Sequence, residues 1–523
     1  MNNKTEFETA QASASCLKLE IDASEFRAFP HVSDFVASAR AGNGELRCDD
    51  NPAVLSAAEL CRDDVSRLPK TAVLSGDAAD IARKVRTCEL SAVDIAREYV
   101  ERARADKNGA YITVMSDAAE KAARHVDECV ARGEYLPLAG VPLAVKDNIC
   151  TAGTLTTCAS KALANFVPNY DATVYARLIS AGAIPIGKTN MDEFAVGSDG
   201  STSYFGKCRN PLDPTKTPGG SSSGSAAALA DGSCIIALGS DTGGSARIPA
   251  SYCGLAALKP TYGSFSRFGL VGMAPSLEQI CPMARCVADL RAVFEVCAER
   301  DARDMTTFEE HSLHARKGRV GVFKPSEVSE AAKTAVERCA SALESDGFDV
   351  NEISLPYFED VLGIYYTISS AEASSNLARY DGLRYGYSRA DSDITETRSE
   401  SFGAPLRERL AEGAYVLNHK NGGAYSEALR LREKLRERFK ALFEEYDIIV
   451  TPMADGAAAE FGLSTYNDER YAVYANLTGV PAVTFPAAKD CALPVGVQLM
   501  ASWGDDIFLL DTAEKAEGMV SVC

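Results

Sequence analysis

Residues 219 to 245, GGSSSGSAAALADGSCIIALGSDTGGS, hold two Gly/Ser-rich turns around a short helical run and a short apolar run. The first turn, Gly219 to Gly224, leads into Ser225-Ala226-Ala227-Ala228-Leu229-Ala230, a good helix-forming run that stops at Gly232. Cys234 to Leu238 reads as a buried strand. In the second turn, Ser240 to Ser245, glycines let several backbone N–H groups converge on one point beside the Ser245 hydroxyl. Such a point can hold an oxyanion, which suits a serine attacking an acyl carbon.

A serine nucleophile needs a base. The five histidines, His31, His125, His311, His314 and His419, all lie outside the two turns. Lysine is the other option, and Gly140 to Lys146 places one at the end of an apolar, strand-like run, so its amine would emerge from a core element. The ordinary reading of a single lysine is a surface charge. Three other readings of the Gly/Ser block are weaker. A flexible linker does not switch directly into Ala/Leu helix and Ile/Leu strand, and a phosphate-binding loop would end in Gly-Lys-Ser/Thr. Gly220 to Gly224 matches the G-x-S-x-G nucleophile elbow, but Pro211 to Pro218 before it is too proline-rich for the strand an elbow requires.

A lysine after a Gly-Val-Pro strand, then GGSSSGS, then SDTGGS, in that order, resembles the amidase signature family, whose sites use a Ser-cisSer-Lys triad. The resemblance implies an α/β fold with a large mixed β-sheet flanked by helices. It assigns Lys146 as base, Ser221 as bridging serine after a cis Gly220–Ser221 peptide, Ser245 as nucleophile, and the Thr242, Gly243 and Gly244 amides as oxyanion donors. Lysine is a base only when neutral. Lowering its amine from about 10.4 to about 7 by burial costs roughly 4 to 5 kcal/mol. The products would be an acyl-enzyme ester and ammonia.

Gly187 to Ala195, Lys259 to Gly263 with Ser266 to Leu270, and Ala371 to Gly382 resemble more narrowly the GatA-type glutaminase component of glutamyl-tRNA(Gln) amidotransferases. That subfamily implies glutamine as substrate, gripped by Tyr366 and Arg409, with the Arg409 guanidinium on the α-carboxylate. The competing reading of Arg409 is an ordinary exposed helix arginine paired along Leu406 to Leu410. The acid for the substrate amino group is either Asp468 or Glu469, and Ser198 to Ser203 departs from the subfamily by lacking a Glu-Asn pair. The resemblance further implies a GatB-like partner that binds tRNA, uses ATP and Mg, and receives the ammonia. No cofactor and no metal site is expected in this chain.

The resemblance begins near Gly76, which divides the chain into residues 1–70 and an amidase-like domain of residues 71–523. The first piece carries Leu17, Leu19 and Ile21, then Phe26, Phe29, Val32, Phe35 and Val36, with Pro30 interrupting any helix. It resembles the small GatC component of the same enzymes, with a helical start and an extended belt such as Leu46 to Val65. A simple docking arm or disordered extension is the alternative.

Composition narrows the partners. A chain of 523 residues can hold about three average domains or one large α/β unit. Its 54 basic and 73 acidic side chains leave a net charge of −19, which repels phosphate backbones, so tRNA would be held only through the partner. Sixteen cysteines form no C-x-x-C pair and no H-E-x-x-H is present, so no metal motif is evident. No apolar run reaches the roughly 18 residues of a membrane span, and a reduced cytoplasm is the expected setting. The remaining pattern predicts helices around Ala79 to Ala103, with a capping-box-like start at Ser91 to Asp94. It also predicts strands near Val141, Ile184, Ile235 and Ile448 and a last helix from Phe508 to Met519. Two other functions remain open: a stand-alone amidase acting on small amides, and a non-catalytic scaffold within a larger assembly.

Overall fold

The computed structural model describes residues 77–308, 314–418, 423–462 and 468–520. The 1–70 segment expected to be GatC-like lies outside the described residues.

The amino-terminal part begins with α1 (Asp77–Arg86) and α2 (Ala92–Arg104), then β1 (Tyr111–Val114), α3 (Ser116–Ala131), β2 (Pro142–Lys146), α4 (Thr173–Ser180) and β3 (Ile184–Thr189). The predicted helical stretch is two helices. Ser91 starts the second by accepting the Val93 N–H at 3.2 Å, and Asp127 supplies the rest of the cap through Ala92 N at 2.8 Å. Ile95, Ala96, Val100 and Ala103 of α2 then form the buried stripe expected of an amphipathic helix.

The two turns frame α5 (Ser223–Ala230) and β4 (Ile236–Asp241), followed by α6 (Arg247–Cys253), β5 (Ala256–Lys259), β6 (Gln279–Ala284) and α7 (Val287–Cys297). Small residues are required in α5 because neighbouring backbone comes so close: a Cβ on Gly224 would lie 2.4 Å from the Ala110 carbonyl oxygen. Next come β7 (Arg319–Phe323), α8 (Glu330–Ser345), β8 (Asp349–Ile353), α9 (Val361–Asn376), α10 (Ile394–Ser401), α11 (Ala404–Leu417), α12 (Ala424–Glu445), β9 (Ile448–Pro452) and α13 (Glu469–Thr478). The described chain ends with β10 (Ala482–Asp490), β11 (Leu493–Ala501) and α14 (Asp506–Val520).

The strands form one eleven-stranded mixed sheet in the order β1-β3-β2-β4-β6-β5-β10-β11-β9-β7-β8. β2 lies parallel to both β3 and β4, with Val145 opposite Leu238. Every residue of β2, β3 and β4 is buried. Strands covered on both faces read as continuous apolar runs, which is why Val141 to Val145 and Cys234 to Leu238 show no alternation. Helices cover the sheet, and a second apolar cluster joins α9, α11, α12 and α13. Among the described residues no helix is long and apolar enough to cross a membrane.

Candidate active site

Lys146 is the last residue of β2 and is fully buried. Its Nζ lies 2.8 Å from Ser221 Oγ, 2.9 Å from Ser222 Oγ and 2.9 Å from Ser240 Oγ. Burial pulls the amine down to about 7 against the opposing pull of the Asp192 and Asp241 carboxylates. Ser221 follows a cis Gly220–Ser221 peptide, and its carbonyl accepts the Asp192 N–H at 3.2 Å. A Cβ on Gly220 would overlap the Asp192 carboxylate at 2.0 Å, so the first turn can only carry glycine there.

The second turn is closed by an internal ion pair. Asp241, at the end of β4, receives Nε and Nη2 of Arg247 at 3.0 and 2.8 Å, the Gly244 N–H at 2.9 Å and the Ala246 N–H at 3.2 Å. Burial opposes ionisation of Asp241, but Arg247, Asn476 and the Gly244 N–H together outweigh it and hold the carboxyl below its usual range. One of the three amides expected as oxyanion donors already has a partner in the protein. The Gly244 amide points inward to Asp241 and is taken, whereas the amides of Thr242, Gly243 and Ser245 meet no acceptor among the described residues. The Ser245 carbonyl accepts the Ser222 N–H at 3.0 Å, which docks the two turns against each other. Ser245 is the partly exposed member of the three, and its hydroxyl has no hydrogen bond among the described residues.

α13 locks this turn from the other side. Asn476 Nδ2 donates to Asp241 Oδ1 at 3.0 Å, the Ala472 carbonyl accepts Arg247 Nη1 at 3.0 Å, and a Cβ on Gly244 would sit 2.5 Å from Ala472 Cβ. One helical turn earlier on the same face stands Glu469, which accepts the Tyr366 hydroxyl at 2.6 Å. Arg409 lies over the Tyr366 ring, 4.6 Å from its centroid, and its Nε is 3.3 Å from Glu412 Oε2. Burial pushes Glu469 up to about 7, although Tyr366 and the Arg409 charge pull it down. Tyr365, next to Tyr366 on α9, packs its ring end on Gly243, where a Cβ would lie 2.4 Å away. Tyr366, Arg409 and Glu469 thus form one cluster beside the Ser245 turn.

Asp468 does not join them. Its Oδ2 accepts the Tyr252 hydroxyl and its Oδ1 accepts the Asp455 N–H at 2.6 Å, so both oxygens tie chain segments together. The sequence left Asp468 and Glu469 open, and a one-residue step on a helix, about 100°, separates a tethering acid from one facing the cluster. Sequence reading also missed Ser222 and Ser240 as partners of the amine, Asn148 as a partner of Ser240, and the Asp241–Arg247 clasp. Part of the signal lay in the strand pairing: residues at or just past the ends of two adjacent parallel strands, here Ser240 and Asn148, come to share one edge.

The Amidase family model matches residues 94–510. The chain is 43% identical over 468 residues to the GatA-type glutamyl-tRNA(Gln) amidotransferase component of Carboxydothermus hydrogenoformans, a match covering 84% of this chain and 96% of that one. Among solved structures, that of the corresponding glutamyl-tRNA(Gln) amidotransferase component of Thermotoga maritima superposes with a TM-score of 0.68 at 30% identity, covering 85% of this chain and 96% of that one. The native peptide amidase of Stenotrophomonas maltophilia gives a TM-score of 0.74 at 28% identity, covering 85% and 96% of the two chains. The buried amine at the end of β2, the Ser221 and Ser222 turn and Ser240 near the end of β4 lie within the matched residues, and the chain belongs to the amidase family.

Proposed function

We propose that this chain is the glutamine-hydrolysing component of a tRNA-dependent amidotransferase. The observation that carries this reading is a fully buried amine, held near neutrality, 2.8 Å from Ser221 Oγ and in a chain 43% identical to a GatA-type amidotransferase component. Ser245 Oγ attacks the side-chain amide carbon as its proton passes to Ser221 Oγ and the Ser221 proton passes to Lys146 Nζ. The tetrahedral oxygen is held by the Thr242, Gly243 and Ser245 N–H groups, each worth roughly 3 to 4 kcal/mol in comparable sites. Breaking the C–N bond returns the relayed proton to nitrogen, which leaves as ammonia with the acyl group on Ser245. Water then enters by the same relay and releases the free acid.

The substrate reading follows from charge. An α-amino acid presents a carboxylate and an ammonium a few ångströms apart, and Arg409 with Glu469, bridged by Tyr366, offers the complementary pair. The ammonia would pass to a GatB-like partner that binds tRNA and uses ATP and Mg, and a cytoplasmic setting suits that pathway. The net charge of −19 supports leaving tRNA to the partner. The N-terminal segment would serve as the GatC-like component of the same assembly.

The test is Ser245→Ala in the assembled complex. Glutamine-dependent product disappears while added ammonia still supports it; loss of both reactions would contradict the role given to Ser245. The likeness to a peptide amidase supports a second reading, a stand-alone amidase, and brisk amide turnover by the isolated chain would favour it.

A further inference from the structure

The Lys146 amine is surrounded by three hydroxyls at 2.8 to 2.9 Å, with the Ser240 carbonyl farther off at 3.4 Å, yet only one of the hydroxyls can be deprotonated by it. A neutral amine on Cε has three remaining directions, two N–H bonds and one lone pair. Whichever hydroxyl faces the lone pair is the one the base can act on.

The surroundings distinguish the three. Ser222 Oγ lies 3.2 Å from the Ser240 carbonyl, which takes its proton, so Ser222 can only accept from the amine. Ser240 Oγ accepts Asn148 Nδ2–H at 3.0 Å. Ser221 Oγ has no hydrogen-bond partner among the described residues besides the amine. Asn148 stands two residues beyond the end of β2 and is buried at 2% exposure; its backbone carbonyl accepts the Val271 N–H at 2.8 Å, while its side-chain Oδ1 meets no hydrogen-bond partner among the described residues.

We propose that Asn148 is a positioning residue that aims the base: by donating to Ser240 Oγ it keeps Ser240 as an acceptor of a Lys146 N–H and so leaves the amine lone pair for Ser221. The inference rests on Lys146 being the base. The Asn148 N–H and one amine N–H fill both acceptor positions of Ser240, and the Ser240 proton is turned away from Nζ. The positive end of the Asn148 amide dipole also makes Ser240 a poorer acceptor for an ammonium, which favours the neutral amine. Asn148→Asp inverts this, because its carboxylate accepts the Ser240 proton and adds negative charge beside the amine. The other groups facing the amine are the Asp192 and Asp241 carboxylates, the latter paired with Arg247, and the Cys158 and Cys281 thiols; none is altered by the substitution.

The experiment is the pH dependence of kcat/KM for glutamine hydrolysis in the full chain, assembled with its partner, for wild type, Asn148→Ala, Asn148→Ser and Asn148→Asp. The acid limb should move to higher pH in the order wild type, Ala, Asp, by about half a unit or more at the first step. Ser240→Ala should abolish the additional effect of Asn148→Ala. The proposal is overturned if a folded Asn148 variant keeps the wild-type acid limb, or if its shift survives in the Ser240→Ala background. Should Asn148→Asp fail to fold, the Ala and Ser variants carry the same expectation. Lys146→Ala separates the two layers: if it remains active, the base assignment fails, and if it is inactive while the Asn148 variants keep the wild-type limb, only the aiming role fails.

Discussion

The carboxylate of Asp241 and the guanidinium of Arg247, six positions apart, meet through two hydrogen bonds at 2.8 and 3.0 Å and close a ring around the backbone that carries Ser245. Both side chains are fully buried. Their pairing decides which amides face outward, because the same carboxylate takes the Gly244 N–H.

Removing that carboxylate should unfasten the turn. Asp241→Asn leaves the Arg247 charge buried and unpaired, a defect worth about 3 to 5 kcal/mol. Its folded carboxyl lies below the usual 3.8, so its stabilising contribution is present above about pH 4 and is lost as pH falls through the folded value. Urea midpoints of wild type and variant should therefore differ widely at pH 7 and converge in strong acid. An equal gap at both ends would refute the ion-pair account.

Lys146→Arg tests whether a neutral amine is needed. Guanidinium stays charged at any accessible pH, so the variant should lose at least about a thousandfold in turnover even where it folds. In wild type, activity should rise with pH through about 7, as the buried amine loses its proton. A profile flat from pH 5 to 9 would exclude Lys146 as the titrating base.

Arg409→Met should weaken glutamine binding more than it slows chemistry. Truncating one side of a partly buried charge pair costs about 2 to 5 kcal/mol, roughly thirtyfold or more in KM. Glu469→Gln keeps the Tyr366 contact but removes the charge, and should selectively lose discrimination between glutamine and its des-amino analogue. Kinetics with both amides would show the difference, and equal losses on the two would argue against an ammonium at Glu469.

Gly243→Ala should disable the turn through Tyr365. Its new Cβ would sit 2.4 Å from the Tyr365 ring end, closer than any real contact, and overpacking of this kind costs about 1 to 3 kcal/mol. Trimming Tyr365 to Leu in the same chain should recover part of the activity. No recovery would mean that the glycine serves backbone conformation and not clearance.

The elements were readable because their signals are local. Val141 to Val145 and Cys234 to Leu238 are apolar runs of strand length, Ser91 caps a helix, and the Ala-rich run after the first turn could only be a tightly packed helix. Lys146 and Ser221, chosen through their motifs, meet at 2.8 Å, and Tyr366, Arg409 and Glu469 are neighbours. What escaped is set by contacts distant in sequence. The direction of the Gly244 amide depends on where Asp241 turns its carboxylate, and that depends on Asn476. Asp468 and Glu469 differ only in which face of α13 meets Tyr252 or Tyr366, and no pattern in the surrounding residues encodes that.

Asn476 and Ala472 fasten Asp241 and Arg247 from near the carboxyl-terminal end of the described chain, long after the serines themselves have been made. During synthesis a ribosome-held polypeptide can own every reacting side chain and still lack the latch that presents them. A chain that stopped before α13 would keep Lys146, Ser221 and Ser245 but lose the contacts that Asn476 and Ala472 make to Asp241 and Arg247.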